Sequence, residues 1–498
     1  MGDAVQDPAD ARSSRNALSP DSAEVFGSSG ARITQEHGTG MQSGFKNRAQ
    51  NVNAYADQPF TFLDPEAHRV VGHIASIDLI ENGDRLARES WQKKQLGNLV
   101  NHAYVRSNYW RQRIPSGLSR QDMLRHLPIL TRKDIVTQVQ NEGSLFIDKD
   151  QGPVSTYETT GSTGSPLKVF VCPQNGYYNI VRGLAQYFFD NLSLEENRVR
   201  IVPITRLEDM QKDSMIKKSA EQWAGPLSTV YRNGSTKDVS FNKDIDGLIK
   251  ELSKNSVGYL VCPSRVLEQL LDHGGADLIK KLGIKLWLHL SDYRSQEAVE
   301  QLKQIGIPTL SNYSSGETGP IAYECTANEG YYHVAHTNVI VEQDDKLTST
   351  FDGTAVGRLL ITHLHSHATP LIRYDIGDFG KLHNQCPCGH DGPTISHIYG
   401  RGKHFLRRPD GEYLPFYAST RLLREAAEFK EIRFQQKTID TITVQIGGRE
   451  TLSQEEEQKL RAAILAVTDP VFKVMINPVK EIDWSDNPKR LFFSSSVS

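Results

Sequence analysis

The chain has 498 residues, 38% hydrophobic and 23% charged, with 57 Lys plus Arg against 60 Asp plus Glu. This is the composition of an ordinary water-soluble protein of two or three domains, and its balanced charge excludes a bulk field for nucleic acid or anionic lipid. No apolar run approaches the roughly 20 residues that span a bilayer, so no membrane partner is expected. Five cysteines in this length make no disulfide scaffold, and the opening residues lack a secretory pattern; the expected location is the cytoplasm.

Residues 1–57 are rich in Ser, Gly, Ala, Asp, Gln and Asn. They carry too little apolar surface to offset their ordering entropy and read as a flexible or accessory arm. Order is expected from about Phe60. After Asp84, Leu86, Trp91, Leu96, Leu99, Val100, Ala103 and Tyr104 recur at helical spacing. Thr131 is placed to cap a short helix starting at Arg132. Further on, strand-like runs (RVRIVPI, VGYLVCP, IKLWLHL) alternate with helix-like ones (LIKELSKN, SRVLEQLLDHG, SQEAVEQLKQIG). That alternation marks an α/β domain with substantial parallel sheet. After Arg401 the strand TITVQI, a helix opened by the Ser453/Glu456 capping box, and the strand VFKVMINPV describe a small α+β unit. The expected organisation is therefore the arm 1–57, a large α/β domain 58–400 with mixed and parallel sheets, and a small mobile lid domain 401–498.

Four ordered segments carry chemistry. In YETTGSTGSPLKVF, Thr159, Thr160, Gly161, Ser162, Thr163, Gly164 and Ser165 offer hydroxyl and backbone N–H donors to one anion, and Lys168 adds positive charge. The spacing is neither a Walker loop nor a dinucleotide fingerprint, and alone such a loop is more often a linker than a phosphate cradle. In SNYSSGETGPIAYEC, Tyr313 can stack on a base while Glu317 binds a metal ion bridging phosphates. LIRYDIGDFG brings Asp378, an acceptor for ribose hydroxyls, and IYGRGKHFL places Arg401 and Lys403 where the composition shifts, as at a hinge. Separately, Cys325, His333, Cys386 and Cys388 make a donor set of three thiols and one imidazole, suited to a closed tetrahedral zinc site; His336, His383, His390 and His397 are rival ligands. Cys172 and Cys262, in strand-like runs, read as core residues.

In this order the segments resemble the adenylate-forming enzymes: acyl-CoA synthetases, luciferases and adenylation domains. NHAYVRSNYWRQR, HLPILTRKDI, GPIAYEC with GYYHV, RYDIGD, CPCG and YGR are similar in particular to the phenylacetate–CoA ligase family. The resemblance implies ATP and Mg²⁺ as cofactors, with Thr159 to Ser165 and Lys168 at the phosphates and Tyr313 at the adenine. It also implies Glu317 at Mg²⁺, Asp378 and Arg401 at the ribose, and Lys403 as hinge. The implied partners are a small carboxylic acid, in some relatives aromatic, and an acyl acceptor, chiefly coenzyme A; a homodimer is compatible. An amide-forming or carrier-loading enzyme, or a non-catalytic nucleotide-binding homologue, is the alternative. Several positions depart from the pattern. Ser314 and Gly316 stand where Gly and Ser or Thr are usual, Ile376 replaces Thr, and Lys403-His404 replace two acidic residues. In SDNPKRLFF, Asn487 occupies the place of the adenylating lysine, leaving Lys489 as the catalytic candidate.

Overall fold

A computed structural model of the protein describes residues 64–115, 123–141, 154–158, 167–203, 216–241, 245–290, 294–351, 354–400, 405–416, 418, 420–484 and 492–497. The expected arm 1–57, the loop Thr159 to Ser165, Arg401, Lys403, Asn487 and Lys489 lie outside these residues.

The alternating runs of the middle third become parallel strands, of which Gly258–Cys262 is buried throughout and Ile284–His289 at all but one position, as strands between helix layers are. In chain order they are β3 (Arg198–Pro203), β5 (Thr236–Phe241), β6 (Gly258–Cys262), β7 (Ile284–His289) and β8 (Thr309–Ser315). Before them stands a hairpin, β1 (Ser155–Glu158) and β2 (Lys168–Val171), and β4 (Ile216–Ala220) runs antiparallel at the edge. The connecting helices include α7 (Ile245–Leu252), α8 (Ser264–Lys281) and α9 (Gln296–Gln304). Buried Trp287 sits among their apolar faces and donates its Nε1–H to the carbonyl of Cys262 at 3.1 Å.

An antiparallel set continues the sheet: β9 (Gly319–Cys325), β10 (Asn328–Val334), β11 (Val339–Phe351), β12 (Thr354–His363), β13 (Tyr374–His383) and β14 (Thr394–Tyr399). Among the described residues the order is β11-β12-β13-β14-β10-β9-β8-β7-β6-β3-β5-β4. β8 is the seam, parallel to β7 on one side and antiparallel to β9 on the other. The protein is an α/β fold built on this mixed sheet.

The amino-terminal helices are α1 (Pro65–Glu81), α2 (Arg85–Arg106), α3 (Asn108–Arg113), α4 (Met123–His126) and α5 (Arg132–Ile135). In α2, Leu96, Leu99, Val100 and Ala103 are buried, but Leu86 and Tyr104 are 73% and 41% exposed. At 100° per residue both lie about 90° from the centre of that stripe, so the helical spacing holds while the buried face is narrower than expected. Thr131 caps α5 in a reciprocal box with Asp134. Leu130 pairs with Tyr374, Arg373 donates to the Leu127 carbonyl at 2.6 Å, and these bonds fasten α5 beside β13. α6 (Pro173–Phe189) packs with α1 around Val70, Ile74, Val181 and Leu184. Its first residue is Pro173, so buried Cys172 is the helix cap rather than a strand residue.

The carboxy-terminal elements have their own core. β15 (Phe405–Arg407) and β16 (Tyr413–Pro415) form a hairpin, followed by α10 (Thr420–Ala426), β17 (Glu431–Thr438), β18 (Thr441–Gly447), α11 (Gln454–Val467), β19 (Lys473–Val479) and β20 (Phe493–Ser495). The sheet β19-β18-β17-β20 encloses Phe434, Ile442, Val444, Leu460 and Ile464. Ser453 and Glu456 form the capping box of α11. Toward the large sheet, Arg424 pairs with Asp272 at 3.3 Å and Arg265 lies over the Phe492 ring. No helix among the described residues is long and apolar enough to cross a membrane.

His363 and His365 lie inside, and burial holds His365 down to about 4. The unfolded chain takes that proton near 6.5, so the contribution to stability is present above 6.5 and is lost as pH falls toward 4. From pH 7.5 to 5 this one group removes about 2 kcal/mol. His365→Gln should therefore lose less unfolding free energy than the parent over this interval, as read by denaturant titration at both pH values.

Candidate functional site

Glu317 occupies the turn by which β8 reverses into β9. The turn is closed internally: the Thr318 N–H donates to Ser315 Oγ at 3.1 Å, and the two hydroxyls lie 3.0 Å apart. At Gly319 φ is +69°, and an added Cβ would come within 2.5 Å of the Asn179 side chain, so α6 presses directly on the turn. Glu317 is 4% exposed, and the Arg132 guanidinium approaches its carboxylate to 3.8 Å.

Tyr313, on β8, donates its phenol to Asp378 Oδ2 at 2.7 Å. Asp378 is on β13, and β9, β10 and β14 separate the two strands in the sheet. Four strand spacings of about 4.8 Å would hold them roughly 19 Å apart in a flat sheet. The antiparallel half therefore curls back on β8. The neighbouring carboxylate, Asp375, has a different duty: it accepts from Arg358 at 2.8 Å and from the Gly377 N–H at 2.9 Å. Gly377 has φ +91°, a turn that suits glycine.

The β1–β2 hairpin brings the stem of the Ser/Thr/Gly-rich loop to the same place. Glu158 and Lys168 face each other as the last pair before the loop. A Cβ at Gly316 would meet the Tyr157 hydroxyl at 2.0 Å, so the Tyr157 ring lies directly on the turn that bears Glu317. On β2, the Phe170 N–H donates to Thr369 Oγ1 at 2.8 Å and the Thr369 hydroxyl donates to the Phe170 carbonyl at 3.2 Å.

A second cluster joins Cys325, at the end of β9, His333 on β10, and Cys386 and Cys388 between β13 and β14. Their donor atoms all lie within 4.8 Å of one another, with His333 Nε2 at 3.4 Å from Cys388 Sγ. Zinc bonds of about 2.3 Å to sulfur and 2.0–2.1 Å to nitrogen give a tetrahedron with edges of roughly 3.5–3.8 Å, so the donor set fits that ion. Burial pushes the Cys386 thiol up to about 12 and His333 down to about 4. Among the rival histidines, His390 stacks on His333 at 4.2 Å, His336 is buried beside it, and His383 and His397 both bond Ser396.

No family model matches the chain. Over 341 residues it is 24% identical to Protein CapK of Staphylococcus aureus, covering 64% of this chain and 68% of CapK. A solved structure of 2-hydroxyisobutyryl-CoA ligase, in the postadenylation state with 2-HIB-AMP, superposes with a TM-score of 0.59 at 13% identity. The match covers 81% of this chain and 89% of the ligase. The same ligase with 2-HIB-AMP and CoA, in the thioesterification state, gives 0.51 at 14% identity, covering 84% and 92%. The chain has the fold of that ligase.

Within this fold, Tyr313, Glu317, Asp378 and the stem of the 159–166 loop converge where β8 ends. Carboxyl ends of parallel strands, at a change in strand order, are where open α/β sheets bind ligands. Sequence reading missed Arg132, Tyr157 and Thr369 as parts of this assembly. The cap at Thr131 announced the helix but not the ion pair beyond it. Tyr313→Phe should cost about 1 kcal/mol of unfolding free energy by removing the bond to Asp378, while Tyr313→Ala costs more; urea titration checks the order.

Proposed function

We propose that the protein uses ATP to convert a carboxylic acid to an acyl-adenylate and then passes the acyl group to a thiol, that of coenzyme A. The observation that carries this reading is the convergence of Tyr313, Asp378, Glu317 and the loop stem at the end of β8. In this reading Thr159 to Ser165, with Lys168, hold the phosphates. Tyr313 lies against the adenine, and Asp378 and Arg401 hold the ribose. A carboxylate oxygen attacks the α-phosphorus and the bond to pyrophosphate breaks; the thiol then attacks the acyl carbon and AMP leaves. The chain's part is positioning and neutralisation of developing charge. Glu317 would hold Mg²⁺, which supplies charge neutralisation at the phosphates. Lys403 is the hinge about which the carboxy-terminal unit turns between the half-reactions. That the structurally similar ligase was solved with 2-HIB-AMP and with CoA supports the choice of chemistry. A cytoplasmic setting, where ATP and coenzyme A are available, suits it.

Lys489 is assigned the role of orienting the carboxylate and α-phosphate, since Asn487 cannot supply charge. The protein should exchange pyrophosphate into ATP only when a suitable acid is present, and Lys489→Ala should lower that exchange about 100-fold or more. ATP binding by calorimetry with no exchange for any acid in an aromatic and aliphatic panel would make the chain a nucleotide-binding homologue instead.

The contact between Gly316 and Tyr157 gives a second test. Gly316→Ala should weaken ATP binding about tenfold by pushing the Tyr157 ring and the loop stem away, and adding Tyr157→Ala should recover most of that loss.

Cys325, His333, Cys386 and Cys388 are assigned a structural zinc ion that ties the β9–β10 hairpin to the β13–β14 connection. Elemental analysis should find about one zinc per chain. Cys386→Ser should lose the metal and lower the thermal midpoint.

A further inference from the structure

Arg132 is fixed where its charge meets the turn that carries Glu317. Thr131 and Asp134 close a reciprocal cap at the start of α5, and the Thr131 hydroxyl donates to Asp134 Oδ2 at 2.7 Å. Backbone bonds stitch this cap to β13. The Leu130 N–H donates to the Arg373 carbonyl at 3.0 Å, and the Asp375 N–H donates to the Leu130 carbonyl at 2.9 Å. Asp378 follows on the same strand. The acid on the helix of Arg132, Asp134, is engaged by the cap and approached by Arg113 at 3.6 Å.

The contact between Arg132 and Glu317 has two properties of a replaceable pair. At 3.8 Å it is longer than an N–H···O hydrogen bond, so the attraction is coulombic and no hydrogen-bond geometry locks it. Access to the two side chains also differs: Glu317 is 1% exposed and Arg132 is 22% exposed. A carboxylate so deeply buried is costly without a nearby cation, and Arg132 supplies one. A divalent ion on Glu317 would supply the same compensation and would repel the guanidinium. Glu317 fits Mg²⁺ in this respect, because that ion is commonly held by one or two carboxylates with substrate phosphates completing its shell.

We infer that Arg132 changes partners when magnesium nucleotide binds: it neutralises Glu317 while no metal ion is there, and turns to the terminal phosphates once an ion takes the carboxylate. This rests on the proposed use of ATP. Two Mg–O bonds of about 2.0–2.1 Å keep a bridged phosphate oxygen within about 4 Å of the carboxylate, to which Arg132 is already close. A guanidinium suits the second task, since its planar fork donates to two phosphate oxygens at once. Magnesium triphosphate is still an anion, and pyrophosphate gathers charge as its bond to the α-phosphorus breaks. A cation at those phosphates therefore stabilises the departing group more than the bound nucleotide. The exchange gives Arg132 opposite effects on two ligands: it opposes a metal ion alone and favours a phosphate.

Two binding measurements on the full chain test this, calorimetry with inorganic pyrophosphate in EDTA and titration with Mn²⁺ followed by EPR without nucleotide. Glu317→Gln releases Arg132 from its buried partner, so metal-free pyrophosphate should bind about tenfold more tightly than it does to the parent. Adding Arg132→Gln should remove that gain, and the double variant leaves no orphaned buried charge. With Glu317 intact, Arg132→Gln should bind Mn²⁺ about tenfold more tightly because a repelling charge is gone, whereas Arg132→Lys should stay within about twofold of the parent. An arginine that only braces the turn would move neither ligand in these directions. Pyrophosphate bound no more tightly by Glu317→Gln than by the parent, equal pyrophosphate binding in the single and double variants, or Mn²⁺ binding not strengthened in Arg132→Gln would overturn the inference. The expected shifts in a protein that exchanges no pyrophosphate into ATP with any acid would uphold the change of partners and reject acid activation alone.

Discussion

β8 obeys two sets of rules at once. Toward β7 it is a parallel strand that needs a helix crossover and cover on both faces; toward β9 it is one arm of an antiparallel turn. A strand of this kind ends with its carboxyl terminus open on one side and its neighbour returning immediately on the other. Tyr313 and Glu317 fall on either side of that reversal. The curl of the antiparallel half then carries β13 back to within hydrogen-bond reach of β8, and Asp378 arrives where Tyr313 already points.

Three glycines show how closely the surrounding elements are fitted. Gly316 leaves room for the Tyr157 ring, Gly319 for Asn179 on α6, and Gly377 for the bend that separates the structural carboxylate Asp375 from Asp378. The hairpin β1–β2 and α6 each approach the turn at the point where a side chain has been omitted. α6 is doubly placed: one end presses on the turn while Tyr178 and Arg182 line a cavity between it, α1 and α2. Buried ion pairing with Glu81 on α1 fixes its Arg182, so the amino-terminal helices wall that cavity as well as covering the sheet.

Much of this was legible in the sequence, because chemistry-bearing residues fall in short ordered runs. Tyr313 and Glu317 sit four positions apart on one strand and its turn, and the spacing of Cys325 and His333 is that of two facing strands. The capping boxes at Thr131 and Ser453 were legible for a similar reason: their partners are three residues away. What could not be read was contact at a distance. Tyr313 meets Asp378 across 65 positions, and the bond exists only because the sheet curls. The approach of Arg132 to Glu317 depends on Leu130 pairing with Tyr374, which no local pattern announces. The run around Tyr178 forms a core helix, and the packing of α1 and α2 leaves a cavity on one of its faces.

The central claim is that the acid attacks the α-phosphate and not the γ-phosphate. Acid labelled with ¹⁸O in its carboxyl group, incubated with the protein, ATP and coenzyme A, decides this by mass spectrometry of the nucleotide. Attack at the α-phosphorus followed by thiol attack on the acyl carbon leaves one carboxyl oxygen behind, so the AMP formed should carry a single ¹⁸O. ADP together with labelled inorganic phosphate, or AMP free of label, would contradict the account.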